Sequence, residues 1–190
     1  MHESVLGTSR TLRCIPQFDR YSDKAGFDQA DKSPIRRYAI VLTSSNETAM
    51  PEIIDFGALQ LKFLQSKDDT AGSLDMFEMA LQPNARMPIP HYHDRWDETI
   101  YGLSGISTWR IDGRDIDLAP GETVFIKRGV VHGFTNRTTE AASCLCTLSP
   151  GVLGPQYFRD MAGLLSAGTP DPAKMRETML RYGLIPVAPS

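Results

Sequence analysis

Three of the four histidines of this 190-residue chain stand at spacings that could hold one metal ion. His91 and His93 are separated by one residue, so on a strand both imidazoles leave the same face. Glu98 follows five residues later, far enough for a turn to bring it back on a neighbouring strand. His132 lies on a later segment where Val130, His132, Phe134 and Asn136 alternate onto one face. If that face is interior, three imidazoles and one carboxylate converge. Such a donor set suits one divalent transition metal, and Fe, Ni, Mn, Cu and Zn all accept it. A coordination position left open distinguishes a catalytic site from a closed structural one. Glu98 is then the candidate catalytic residue, as ligand and as proton acceptor from a substrate hydroxyl.

These residues need short strands and sharp turns to meet. Apolar segments alternate with turn signals from about Glu52 to Ser149, the texture of an all-β sandwich or barrel. Strands are predicted at Leu59–Leu64, Leu74–Leu81, Thr99–Leu103, Ile106–Ile111, Thr123–Ile126, Val130–Asn136 and Ala142–Leu148. Asp112-Gly113 predicts a tight hairpin, since a type I′ turn needs φ > 0 at both central residues. Pro120-Gly121 suits a type II turn. After Pro150 the period becomes helical. Tyr157, Phe158, Met161, Leu164 and Leu165 share a stripe, and a second helix is predicted from Pro172 to Tyr182 with Asp171 as N-cap and Gly183 as stop. The expected organisation is an N-terminal arm over 1–36, a β-barrel over 37–150 and a helical tail over 151–190.

The ligand-bearing segments resemble the two sequence motifs of the cupin superfamily. His91, His93, Glu98 and Gly105 match the first, with Ala85 where the motif opens on glycine. Gly121, Gly129, His132 and Asn136 match the second, with Lys127 where the motif has proline. The resemblance spans about residues 55–150, and the tail is similar to that of small single-domain bacterial cupins related to quercetin-dioxygenase-like proteins. It implies a double-stranded β-helix, the cupin or jelly-roll barrel, with the metal on His91, His93, Glu98 and His132. It also implies a metal-dependent dioxygenase acting on a small flavonol- or catechol-like substrate. Alternatives on the same scaffold are an isomerase or epimerase with a redox-inert metal, and a non-catalytic small-molecule binder.

Around this set, Phe134 shares the face of His132 and is expected to line a substrate pocket. Trp96 sits between ligands and is expected to cover the pocket mouth. Tyr101, Cys144 and Cys146 are further pocket candidates; the two cysteines share a face if on a strand, as small buried hydrophobes or as pocket wall.

The totals exclude several other classes. A net charge of −3 and scattered basic residues argue against a nucleic-acid partner. No apolar run approaches the ~18 residues of a membrane span. MHESVLGTSR lacks a secretory pattern, so a cytoplasmic location is expected. Barrel edges need cover, so a homodimer is expected.

Overall fold

The computed structural model describes residues 51–188 other than 88, 167 and 170, so the expected arm at 1–36 lies outside the described residues. Eleven strands and two helices follow one another along the described chain. They are β1 (Ile53–Asp55), β2 (Leu59–Gln65), β3 (Asp75–Leu81), β4 (His91–His93), β5 (Asp97–Ser104) and β6 (Ser107–Ile111). Then come β7 (Arg114–Leu118), β8 (Thr123–Ile126), β9 (His132–Thr135), β10 (Ala142–Ser149), α1 (Pro155–Ser166), α2 (Pro172–Arg181) and β11 (Leu184–Pro186). The fold is mostly β with helices at its C-terminal end, in line with the all-β expectation.

The strands form two antiparallel sheets. One has the order β1-β2-β3-β10-β5-β8 and the other β11-β4-β9-β6-β7. Strict alternation drives this arrangement. In β3, Asp75, Phe77, Met79 and Leu81 are buried while the residues between them are half-exposed. In β10, Ala142, Cys144, Cys146 and Leu148 are the buried set. Burial of one face on each strand fixes register, because a slip of one residue would turn every apolar side chain to water. Leu61, Leu81, Ile100, Trp109, Leu118, Ile126 and Leu148 are among the most deeply buried apolar side chains of the core.

Turn chemistry sets the connections. Asp112 and Gly113 both have positive φ, 48° and 76°, and join β6 to β7 in the tight hairpin that pairs Ile111 with Arg114. β7 is the second strand of the hairpin that Asp112-Gly113 predicts, though no apolar alternation marks it in the sequence. It is a polar edge strand, exposed at Arg114, Asp115, Ile116 and Asp117, and its pairing comes from the hairpin and not from an apolar pattern. Gly102, in β5, lies so close to the 118–122 turn that a Cβ there would overlap the Ala119 carbonyl oxygen.

One buried carboxylate ties the first sheet to the tail. Asp75 accepts backbone N–H bonds from Lys67 at 2.6 Å and from Leu153 and Gly154 at 3.1 Å each. Beyond this knot α1 begins at Pro155. Asp171 caps α2, accepting from the N–H groups of Ala173 and Lys174, and Pro172 occupies the first turn. The Tyr182 hydroxyl donates to Asp160 at 2.7 Å and so links the end of α2 to α1. The chain then forms β11, unexpected from sequence, which pairs antiparallel with the histidine strand β4. The tail thereby covers what would be an open edge beside the site.

Candidate metal centre

The structure brings His91, His93 and His132 together as a buried cluster whose ring nitrogens lie within 4.8 Å of one another. Two mechanisms place them. Strand alternation on β4 sends both His91 and His93 inward past the half-exposed Tyr92. Antiparallel pairing of β4 with β9 then sets His132 directly opposite His91. Glu98 reaches the same place from the other sheet, since β5 belongs with β10 and β8 while β4 belongs with β9 and β11. The sequence spacing placed Glu98 on a neighbouring strand. It comes instead from the facing layer, because the chain crosses between sheets over residues 94–96.

The geometry is that of a donor set. His91 Nε2 and His93 Nε2 stand 3.0 Å apart. The Glu98 carboxylate lies 3.4 Å from His132 Nε2 and 4.0 Å from His93 Nδ1. Donors about 2.0–2.2 Å from a shared ion stand roughly 3 Å apart when adjacent around it. The backbone orients two of the rings. His91 Nδ1 lies 3.3 Å from the Ile89 carbonyl, and His132 Nδ1 lies 3.0 Å from the Val130 carbonyl. Donation from Nδ1–H to a carbonyl leaves the Nε2 lone pair facing the cluster, the arrangement usual behind a metal-bound histidine. His132 Nε2 is buried with no hydrogen-bond partner: its approach to Glu98 is close but lacks hydrogen-bond geometry. A buried polar atom left so is costly unless something else satisfies it. The residues present therefore fit a divalent metal.

Electrostatics point the same way. Burial, and then the neighbouring His132, lowers the pKa of His91 to about 3. Burial and the other two imidazoles also push His93 far below its usual range. Both rings are neutral near pH 7, the form in which an imidazole ligates a metal.

The other expected site residues separate into three groups. Phe134 lines the cavity beside the cluster, as does Cys146. Cys144 is fully buried next to Cys146, with the sulfurs 3.9 Å apart, but is not part of the cavity wall. Cys146 is held protonated by its hydrogen bond with Cys144, by burial and by the Glu98 carboxylate, all of which push its thiol up. Trp96 and Tyr101 need correction. Trp96 does not cover a mouth: it is fully buried and stacks on His93, with ring centroids 4.5 Å apart and planes at 22°. Its apolar area drives it inward against the imidazole. Tyr101 is 42% exposed, because alternation on β5 turns Glu98 and Ile100 inward and Tyr101 outward.

Beside the cluster is a cavity of about 530 Å³. His91, His93 and Glu98 are part of its wall, and the remaining lining is mostly apolar, including Phe77, Met79, Trp109 and Phe134 from the strands. The tail supplies Tyr157, Phe158, Met161, Leu165, Met179 and Leu184. The helical stripe was legible in the sequence as a packing face. That it packs around a void and not a solid core was not, since the pattern is the same in both cases.

Comparison with known proteins gives consistent results. Residues 77–148 match the Cupin_2 family, described as a cupin domain. Quercetin 2,3-dioxygenase of Bacillus subtilis (strain 168) is 30% identical over 79 residues, which is 42% of this chain and 23% of that protein. An uncharacterized protein of Aquifex aeolicus (strain VF5) is 34% identical over 71 residues, 37% of this chain and 58% of that one. The chain thus spans less than two thirds of either relative. Among solved structures, the polyketide cyclase RemF from Streptomyces resistomycificus has 28% sequence identity and a TM-score of 0.45, covering 52% of this chain and 68% of that one. With the family match over residues 77–148, two facing sheets and the histidine cluster on the same segments, this chain resembles the cupin superfamily.

Proposed function

We propose that the protein is a metal-dependent dioxygenase acting on a small oxygenated aromatic molecule of flavonol or catechol type. One divalent transition metal would be held by His91, His93, Glu98 and His132. The observation that carries this reading is the junction of a buried histidine cluster with a mostly apolar cavity. When bound, a redox-active ion supplies Lewis acidity and a path for electrons between substrate and O2. The chain's own residues do the rest. Phe134, Trp109 and the tail side chains hold a flat apolar body and exclude water from around it. Glu98 accepts the proton that a substrate hydroxyl releases. The likeness to a quercetin dioxygenase supports the oxygenase reading over the isomerase one. So does the wall, since a polar sugar-like substrate would find few partners in it.

Metal analysis of the purified protein, followed by oxygen uptake with a panel of flavonols and catechols, tests the proposal. We expect a first-row metal and O2 consumption with at least one panel member. Conversion without O2 would favour an isomerase, and binding without conversion a binding module.

We also propose that the chain functions as a homodimer in the cytoplasm. Phe125, 64% exposed on the edge strand β8, lies on the outer face of its sheet with Tyr101 and supports a self-association surface. Among the described residues no helix is long and apolar enough to cross a membrane. Light scattering and cell fractionation test these two points.

A further inference from the structure

The three imidazoles of the cluster are not anchored alike. His91 and His132 each set Nδ1 against a backbone carbonyl, that of Ile89 at 3.3 Å and that of Val130 at 3.0 Å. No carbonyl serves His93 in this way among the described residues, and the Glu98 carboxylate stands 4.0 Å from its Nδ1, beyond hydrogen-bond reach. His93 instead has Trp96, three residues on, stacked nearly parallel at a centroid distance of 4.5 Å. The rings of His91 and His132 meet His93 at 49° and 74°, so Trp96 covers one face of the imidazole while its edge turns to the other donors. The indole is itself tightly held. It is fully buried, and its Nε1 has no hydrogen-bond partner among the described residues, so what it offers is a flat face and not a donor. Arg128 pins the residues on either side of it, donating to the two Asp97 carboxylate oxygens at 3.0 and 2.9 Å and to the Arg95 carbonyl at 3.3 Å. The Gly129 N–H closes the same turn on the His93 carbonyl at 2.6 Å.

We propose that Trp96 is the positioning residue of His93: its stacked face fixes the plane of the imidazole, and with it the plane of the Nε2 lone pair, in the role that the two carbonyls play for His91 and His132. The proposal rests on the reading of the cluster as a metal site and adds to it the group that orders the third imidazole. The centroid distance and the small angle are those of a favourable aromatic pair. A ring locked by packing before an ion arrives already has the donor geometry that a freely turning ring would have to find on binding. Trp96 is not part of the cavity wall, so it acts through His93 and not on a substrate. No hydrogen bond of the indole is at stake. Phenylalanine can therefore serve in its place, whereas leucine, close to phenylalanine in bulk but without a flat face, cannot.

Titration of the metal-stripped full chain with Ni(II) against a competing chelator compares wild type with Trp96→Phe, Trp96→Leu and Leu81→Ala. Leu81 is fully buried but outside the cavity wall, so its variant measures what lost packing does by itself. Trp96→Leu should weaken Ni(II) binding about 10- to 100-fold, while Trp96→Phe and Leu81→Ala stay within about threefold of wild type. Unchanged affinity in Trp96→Leu, an equal loss in Trp96→Phe, or a comparable loss in Leu81→Ala would each overturn the proposal. NMR of the metal-free protein reads the ring without any ion, with His93→Gln assigning its signals. The His93 ring protons should be displaced upfield by the indole in the wild type and keep a smaller displacement in Trp96→Phe. Undisplaced His93 signals in the wild type would overturn the proposal even if Trp96→Leu fails to fold. A wild type that takes up no Ni(II) sinks the metal-site reading and this proposal with it, whereas equal uptake by every variant sinks this proposal and leaves the metal site standing. Uptake in the expected order without oxygen consumption upholds Trp96 and sinks the dioxygenase.

Discussion

His91 and His132 face each other across the β4–β9 pair as direct Cα partners, with their rings 4.8 Å apart. Two residues 41 positions apart in sequence thus meet through strand register alone. The β11–β4 pairing holds the same strand from its other side. The cluster is therefore a property of the sheet, set before any ion arrives, and several consequences can be measured.

Acid should destabilise the metal-free protein. His91 has a folded pKa of about 3, against an ordinary value of 6.5, and His93 is also lowered. Between those limits the unfolded chain binds more protons than the native one, so stability rises with pH. It is fully present above pH 6.5 and declines as pH falls toward about 3. The slope is up to about 1.4 kcal/mol per pH unit for each such imidazole. Urea titrations of metal-free protein at pH 5 and pH 7 check this, and His91→Gln should flatten the difference.

Glu98→Gln keeps the side chain's shape and removes its charge. If Glu98 takes the substrate's proton, oxygen uptake at saturating metal should fall roughly 100- to 10,000-fold. The fold should persist, because the carboxylate is not part of the apolar core. Uptake within a few-fold of wild type would remove Glu98 from the chemistry.

Asp75 is the main polar knot away from the site. Asp75→Ala strands three backbone N–H groups, those of Lys67, Leu153 and Gly154. A loss of about 3 kcal/mol is expected, measured by chemical denaturation.

Gly102→Ala should be harmful through close approach alone. The added methyl meets the Ala119 carbonyl oxygen, which is backbone and cannot rotate away. A cost of about 1–3 kcal/mol is expected from overpacking. Thermal melts compare it with Gly163→Ala, where a Cβ meets nothing within 4 Å.

Much of the site was legible because alternation is local. The inward pair His91 and His93 follows from a one-residue spacing on a strand, and the buried set His132, Phe134 and Asn136 follows from the same rule. The caps of α2 were equally legible, since Asp171, Pro172 and Gly183 act within one turn. What local pattern cannot carry is the assignment of a strand to a layer. Glu98 therefore arrived from the facing sheet and not from a neighbouring strand. Trp96 was placed at the mouth because it lies in a loop, yet tertiary packing drew it under His93. Tyr101 is a pocket candidate by its aromatic type alone, and its odd offset from Glu98 on β5 sends it to the opposite face. Short strands such as β1 and β11 have no period of their own and exist only by pairing with β2 and β4.

The central claim is that this cluster holds a metal. Metal content per chain, measured side by side on wild type and His132→Ala, tests it most directly. We expect one first-row transition ion per wild-type chain, and loss of most of it in the variant at a modest cost in metal-free melting temperature. A wild type free of such metal after reconstitution, or a His132→Ala protein that retains its full complement, would contradict the account.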